Sequence, residues 1–86
     1  MDPSPLEFPA DHPVNVIGRH APEFRERVRA VLAAELGAAA TIVIEERRSR
    51  DGSYLSLTCT VRVESRPQLE RLYRELHATG LVLFAL

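Results

Sequence analysis

The chain has 86 residues, of which 11 are basic, 12 are acidic and 45% are hydrophobic. A chain this short buries only about 60–65% of the surface its unfolded form exposes, which leaves room for one sheet and two helices and for no separate catalytic domain. The near balance of charge argues against a dedicated nucleic-acid or membrane-surface protein, and a single cysteine excludes an internal disulfide framework or a Cys-based zinc site.

Residues 1–13 contain Pro3, Pro5, Pro9 and Pro13, and read as a flexible arm preceding a single domain over 14–86. Proline cannot sustain a helix or a sheet interior. Leu6 and Phe8 are apolar in that polar arm and are expected to dock on the domain. The arm is acidic with no basic segment, so it does not read as a secretory signal. No apolar run reaches the 18–20 residues that span a bilayer, and a soluble cytoplasmic protein is the expectation.

Val14 to Gly18 predicts a short first strand. Pro22 suits a first helical turn, where its missing N–H would have had no partner. Phe24, Val28, Val31, Leu32 and Leu36 follow at helical spacing, and Gly37 is expected to stop the helix as a left-handed cap. Thr41 to Arg48 predicts a second strand, with Glu45, Glu46, Arg47 and Arg48 charging both faces as edge strands do.

Asp51-Gly52 then signals a tight hairpin turn of the primed type. Beyond it Leu55, Leu57, Cys59, Val61 and Val63 alternate with Tyr54, Ser56, Thr58, Thr60 and Arg62. That period of two predicts a long central strand with one apolar and one polar face. Cys59 falls on the apolar face and reads as a small buried hydrophobe. Ser65-Arg66-Pro67-Gln68 is a capping box that opens a second helix with the stripe Leu69, Leu72, Tyr73 and Leu76. Leu81 to Leu86 closes the chain as a strand that is apolar at every position.

Strand, helix, strand, strand, helix, strand is the order of an α+β ferredoxin-like βαββαβ sandwich. Right-handed crossovers give a four-stranded antiparallel sheet of order 4-1-3-2 with both helices on one face. The other face would then carry Asn15, Ile17, Ser56, Thr58, Thr60 and Arg62.

Two sites follow from that placement. Gly18, Arg19 and His20 lie where the first strand meets an uncapped helix start, and are the expected site for a small, anionic ligand. Val82, Phe84 and Leu86 on the last strand, with Leu6 and Phe8 folding over them, are the expected interface for a second copy or a protein partner. An RNA-associated role is the alternative of the same topology, but the central strands lack the aromatic stacking platforms such a role needs. An acylphosphatase-like hydrolase is a more distant one. His12, His20 and His77 are scattered without ligand spacing, so no metal and no cofactor is expected.

Leu6-Glu7-Phe8-Pro9, Val16-Ile17-Gly18, Ser49 to Gly52, Tyr54, Ser56, Gln68-Leu69, Leu72-Tyr73 and Leu76, in this order and with the closing apolar strand, resemble the YbeD-like family of small bacterial proteins of unknown function. The resemblance runs from about Leu6 to Leu86. It implies the ferredoxin-like fold, similar to ACT-type regulatory domains that bind small molecules at subunit interfaces, and leaves the function open; a non-enzymatic regulatory or binding domain is the leading expectation. The chain departs from the family pattern at Asn15, where a Lys is common. The resemblance carries over no catalytic residue.

Overall fold

The computed structural model describes residues 7–37 and 40–86. The elements are β1 (Ala10–Arg19), α1 (Pro22–Leu36), β2 (Val43–Arg48), β3 (Tyr54–Val63), α2 (Arg66–Ala78) and β4 (Val82–Ala85). They form one antiparallel sheet of order β2-β3-β1-β4, the ferredoxin-like topology that the sequence predicts.

The alternation in β3 sorts its side chains. Leu55, Leu57, Cys59, Val61 and Val63 are buried together with Val14 and Val16 of β1, Phe24, Val28 and Leu32 of α1, and Leu69, Leu72 and Leu76 of α2. Both helices therefore cover the same face of the sheet. The core contains no buried polar or charged residue among those described, so its cohesion is hydrophobic, at about 25 cal/mol per Å² of apolar surface removed from water.

β1 starts at Ala10, four residues before the expected boundary, and its pairing with β3 runs from Ala10 opposite Val63 to Arg19 opposite Tyr54. Pro13 thus sits inside a strand, opposite Thr60. The reason is local. Asn15 exchanges both main-chain hydrogen bonds with Leu86, at 2.9 and 2.8 Å, so its backbone groups face β4. By the period of two those of Pro13 point the same way, past the end of β4, where no N–H is needed. The expected arm of residues 1–13 is therefore part of the sheet from Ala10 onward, and Leu6 lies outside the described residues.

The hairpin between β2 and β3 is wider than the primed two-residue turn expected from Asp51-Gly52. Ser49 N–H donates to the Tyr54 carbonyl (2.9 Å) and Gly52 N–H to that of Ser49 (3.0 Å), while Gly52 alone in the loop has a positive φ, 79°. A primed type I turn needs two such residues. Asp51 fixes the loop instead: its carboxylate accepts from Ser53 N–H and from the hydroxyls of Ser49 and Ser53. Those hydrogen bonds, Ser53 N–H foremost, hold the Asp51 carboxyl below its usual range.

α1 begins at Pro22 after an extended Ala21 that offers no side-chain cap. Gly37 ends it with φ 95° and ψ 147°, a region open to glycine but not the left-handed cap expected. α2 is capped by Ser65, which accepts from Gln68 N–H at 3.3 Å. The Gln68 side chain reaches back to accept from Glu64 N–H (2.6 Å) and donates to the Glu35 carbonyl on α1 (3.4 Å), tying the start of one helix to the end of the other.

Candidate functional site

The sheet face away from the helices is the surface to consider, because β1 and β3 bring their polar alternates together there. Asn15 stands opposite Thr58, and Ile17 opposite Ser56. Asn15 Oδ1 accepts hydrogen bonds from Ser56 Oγ (3.1 Å) and Thr58 Oγ1 (3.2 Å), all three residues being half-buried. The Asn15 amide nitrogen makes no side-chain hydrogen bond among the described residues, so two donors remain free at the centre of this face.

The flanks differ in chemistry. Toward β2, Val43, Glu45 and Arg47 lie opposite Thr60, Thr58 and Ser56. Toward β4, Phe84 lies opposite Ile17, and Leu86 is hydrogen-bonded to Asn15. Phe84 is 60% exposed and Leu86 71%. At the hairpin end the Arg19 guanidinium lies 6.0 Å from the Tyr54 ring centre, within cation–π range. The face therefore grades from apolar at β4, through hydroxyl and amide groups, to charged at β2.

The expected interface residues separate in space. A register shift between Ile17 and Gly18 puts Phe84 opposite Ile17 but Val82 opposite Gly18, so Leu83 is the extra residue of a β-bulge. The bulge breaks the alternation: Phe84 and Leu86 share the uncovered face, whereas Val82 packs against the core. Phe8 also packs against the core, with the Arg66 guanidinium 6.0 Å from its ring centre. It docks on the domain as expected, but on the helix side and beyond the Ala10 end of β1, and does not cover Phe84 or Leu86.

The expected ligand site at Gly18, Arg19 and His20 is shaped by packing. A β-carbon on Gly18 would stand 2.5 Å from both the Leu81 carbonyl oxygen and Phe24 Cε1, so the glycine serves helix–sheet contact and offers no approach to a ligand. His20 N–H donates to the Ser53 carbonyl (2.9 Å), and its Nδ1 lies 3.2 Å from the Gly52 carbonyl, which ties this turn to the hairpin. A cleft of about 210 Å³ remains beside it, lined by Arg19, Glu23, Phe24, Leu81 and Leu83 among others. Glu23 in the first turn of α1 answers the positive helix terminus from within the chain.

A wider groove of about 620 Å³ opens at the far end of the sheet, before β2 begins at Val43, and Arg62, Asp11, Thr60, Glu64 and Gln68 line it. Arg62 and Asp11 stand 3.6 Å apart and are both exposed. Cys59 is fully buried, and burial pushes its thiol up to about 11, which removes it from nucleophilic chemistry.

The Asn15 cluster is the feature that reading residues singly does not find. Its signal is the register: once Asn15 is set opposite Thr58, the hydroxyl of Ser56, two residues along the same strand, comes within reach of the same oxygen.

Residues 3–86 match the family described as "Protein of unknown function (DUF493)". The chain belongs to the DUF493 family. It is 40% identical over 81 residues to the UPF0250 protein BPP0168 of Bordetella parapertussis, covering 94% of this chain and 89% of that one. It is 36% identical over 81 residues to the UPF0250 protein NE1487 of Nitrosomonas europaea, covering 94% and 93%. These are the YbeD-like proteins that the sequence resembles.

Among solved structures, protein HP0495 from H. pylori superposes with a TM-score of 0.81 at 12% identity, over 98% of this chain and 88% of that one. The C-terminal domain of the MgtC protein from Mycobacterium tuberculosis superposes at 0.65 with 23% identity, over 94% and 88%. At these identities the likeness is one of fold: this DUF493 chain is a ferredoxin-like domain.

Proposed function

We propose that this DUF493 protein is a small non-enzymatic regulatory domain of the ACT-like kind, which takes up a protein partner on its uncovered sheet face. One observation carries the reading: on the face that neither helix covers, two large exposed apolar side chains, Phe84 and Leu86, adjoin a half-buried amide whose donors are free. An apolar patch beside a few convergent polar groups is the composition of a protein-binding surface. The buried state of Cys59, the chain's single thiol, supports the non-enzymatic part of the reading.

The test is site-specific photo-crosslinking in cells, with the photoreactive residue at Thr58 on the open face or at Arg27, an exposed position on α1. A discrete adduct from position 58, absent from position 27 and lost with Phe84→Asp, is the expected result. Equal labelling from both positions, or none from position 58, counts against it. Turnover of an acyl phosphate by the purified protein would replace the regulatory reading with a hydrolytic one.

A further inference from the structure

The two free edges of the sheet are unlike. β2 carries Glu45, Glu46, Arg47 and Arg48 among its six residues, charges of the kind that keep an edge from pairing with another chain. The segment from Leu81 to Leu86 carries no charged side chain and no proline. Of the five large hydrophobic residues that are exposed among the described residues, three, Leu83, Phe84 and Leu86, belong to it.

The hydrogen-bond phase of β4 defines what its edge offers. Leu86 turns its main-chain groups inward to Asn15, and Phe84, opposite Ile17, does likewise by alternation. Ala85 between them therefore presents its N–H and C=O outward. The bulge at Leu83 ends the regular edge on one side. What remains is a short, uncharged strip centred on Ala85.

We infer that the strip pairs with the same strip of a second copy of this chain, antiparallel, with Ala85 on the two-fold axis. This rests on the reading of the uncovered face as a binding surface and names the partner at its β4 border. In this register Ala85 exchanges both main-chain hydrogen bonds with the partner's Ala85. Phe84 then lies across from the partner's Leu86, and Leu86 across from the partner's Phe84, as close pairs on the open face. The two most exposed large hydrophobic side chains among the described residues cover each other, and the two sheets become one of eight strands.

Charge favours a second copy over a charged partner. The strip holds no charged side chain to be matched, and the formal net charge of −1 gives two copies almost no mutual repulsion. The contact is short against a standard interface of about 800 Å² per partner, so association should depend on concentration.

Sedimentation velocity over a wide concentration range, with the full chain, is the first arm. The expected result is a shift from 9.6 kDa toward twice that mass. Phe84→Glu, at an exposed position, should hold the protein at monomer mass, with the thermal midpoint that wild type shows at concentrations where it is monomeric. Ala85→Pro, which removes the outward donor while leaving both bonds to Asn15, should do the same.

The second arm is disulfide trapping. The double variant Phe84→Cys/Leu86→Cys should form covalent dimers in mild oxidant, and Val43→Cys on the opposite edge should not. Monomer mass at every concentration, or a dimer indifferent to both β4 variants, overturns the inference. A monomeric protein that still crosslinks a different protein from position 58 overturns it too, while leaving the proposed function standing. A dimer without any crosslink from position 58 to another protein does the reverse.

Discussion

The ring of Phe24 lies across Gly18, with its Cε1 2.5 Å from where a β-carbon would stand and the Leu81 carbonyl oxygen equally near. A methyl group there must move an aromatic ring that is itself buried or a backbone that leads into β4. Neither yields cheaply, because interiors are close-packed. Gly18→Ala should cost about 1–3 kcal/mol, the range for overpacking a core. Urea denaturation should show a lower midpoint at unchanged slope, and a midpoint within error of wild type would mean that Phe24 and Leu81 give way to the added methyl.

Cys59 gives a reporter of the closed core. Its side chain is fully buried, and burial raises its thiol to about 11, so almost no thiolate exists at pH 8. Labelling with a disulfide reagent should be slow in the native protein. It should accelerate with denaturant in parallel with global unfolding. Rapid stoichiometric labelling without denaturant would show that β3 opens locally.

The Asp51 loop predicts a pH dependence. Hydrogen bonds from Ser53 N–H, then from the Ser49 and Ser53 hydroxyls, lower the folded-state pKa of Asp51. A depressed carboxyl contributes stability that is fully present above its unfolded value and fades as pH falls through the folded value. The contribution is thus present at pH 7 and lost in the acid range below about pH 4. Thermal midpoints recorded from pH 7 downward should fall more steeply for wild type than for Asp51→Asn, and parallel curves would remove Asp51 from the account.

At α2 the Ser65 hydroxyl accepts from Gln68 N–H. Ser65→Ala should lower stability by about 1 kcal/mol, and Ser65→Gly by only a few tenths. Equal losses for the two would mean that the serine acts through something other than its cap, for instance the Gln68 bridge to Glu35.

These elements differ in how far they could be read from residues alone. β3 was legible end to end because its alternation runs unbroken from Tyr54 to Val63, and only one phase of it can face a core. β4 was not, since a strand apolar at every position has no phase to read. The bulge that sends Val82 to the core and Phe84 to the open face is set by pairing with β1. The early start of β1 was hidden for a related reason: Pro13 forbids a paired N–H, and only the length of the neighbouring β4 shows that none is required there. The Asp51-Gly52 loop shows the converse limit. Its glycine was legible, but its width depends on a carboxylate gathering three donors.

The centre of the open face allows structure and recognition to be separated by two substitutions at one position. Asn15 Oδ1 serves the fold by accepting from Ser56 and Thr58, whereas its amide nitrogen, unbonded among the described residues, is available to a partner. Asn15→Ala removes both functions and should cost about 1–2 kcal/mol, the usual net value of two such hydrogen bonds at a half-buried site. Asn15→Asp keeps an acceptor for both hydroxyls at neutral pH and removes only the donors, so stability should change less than in Asn15→Ala. If the donors meet a partner, the crosslink from position 58 should be lost in both variants, although only one is destabilised. Wild-type crosslinking by Asn15→Asp would show that the face is read through Phe84 and Leu86 alone, with the amide left as a brace between β1 and β3.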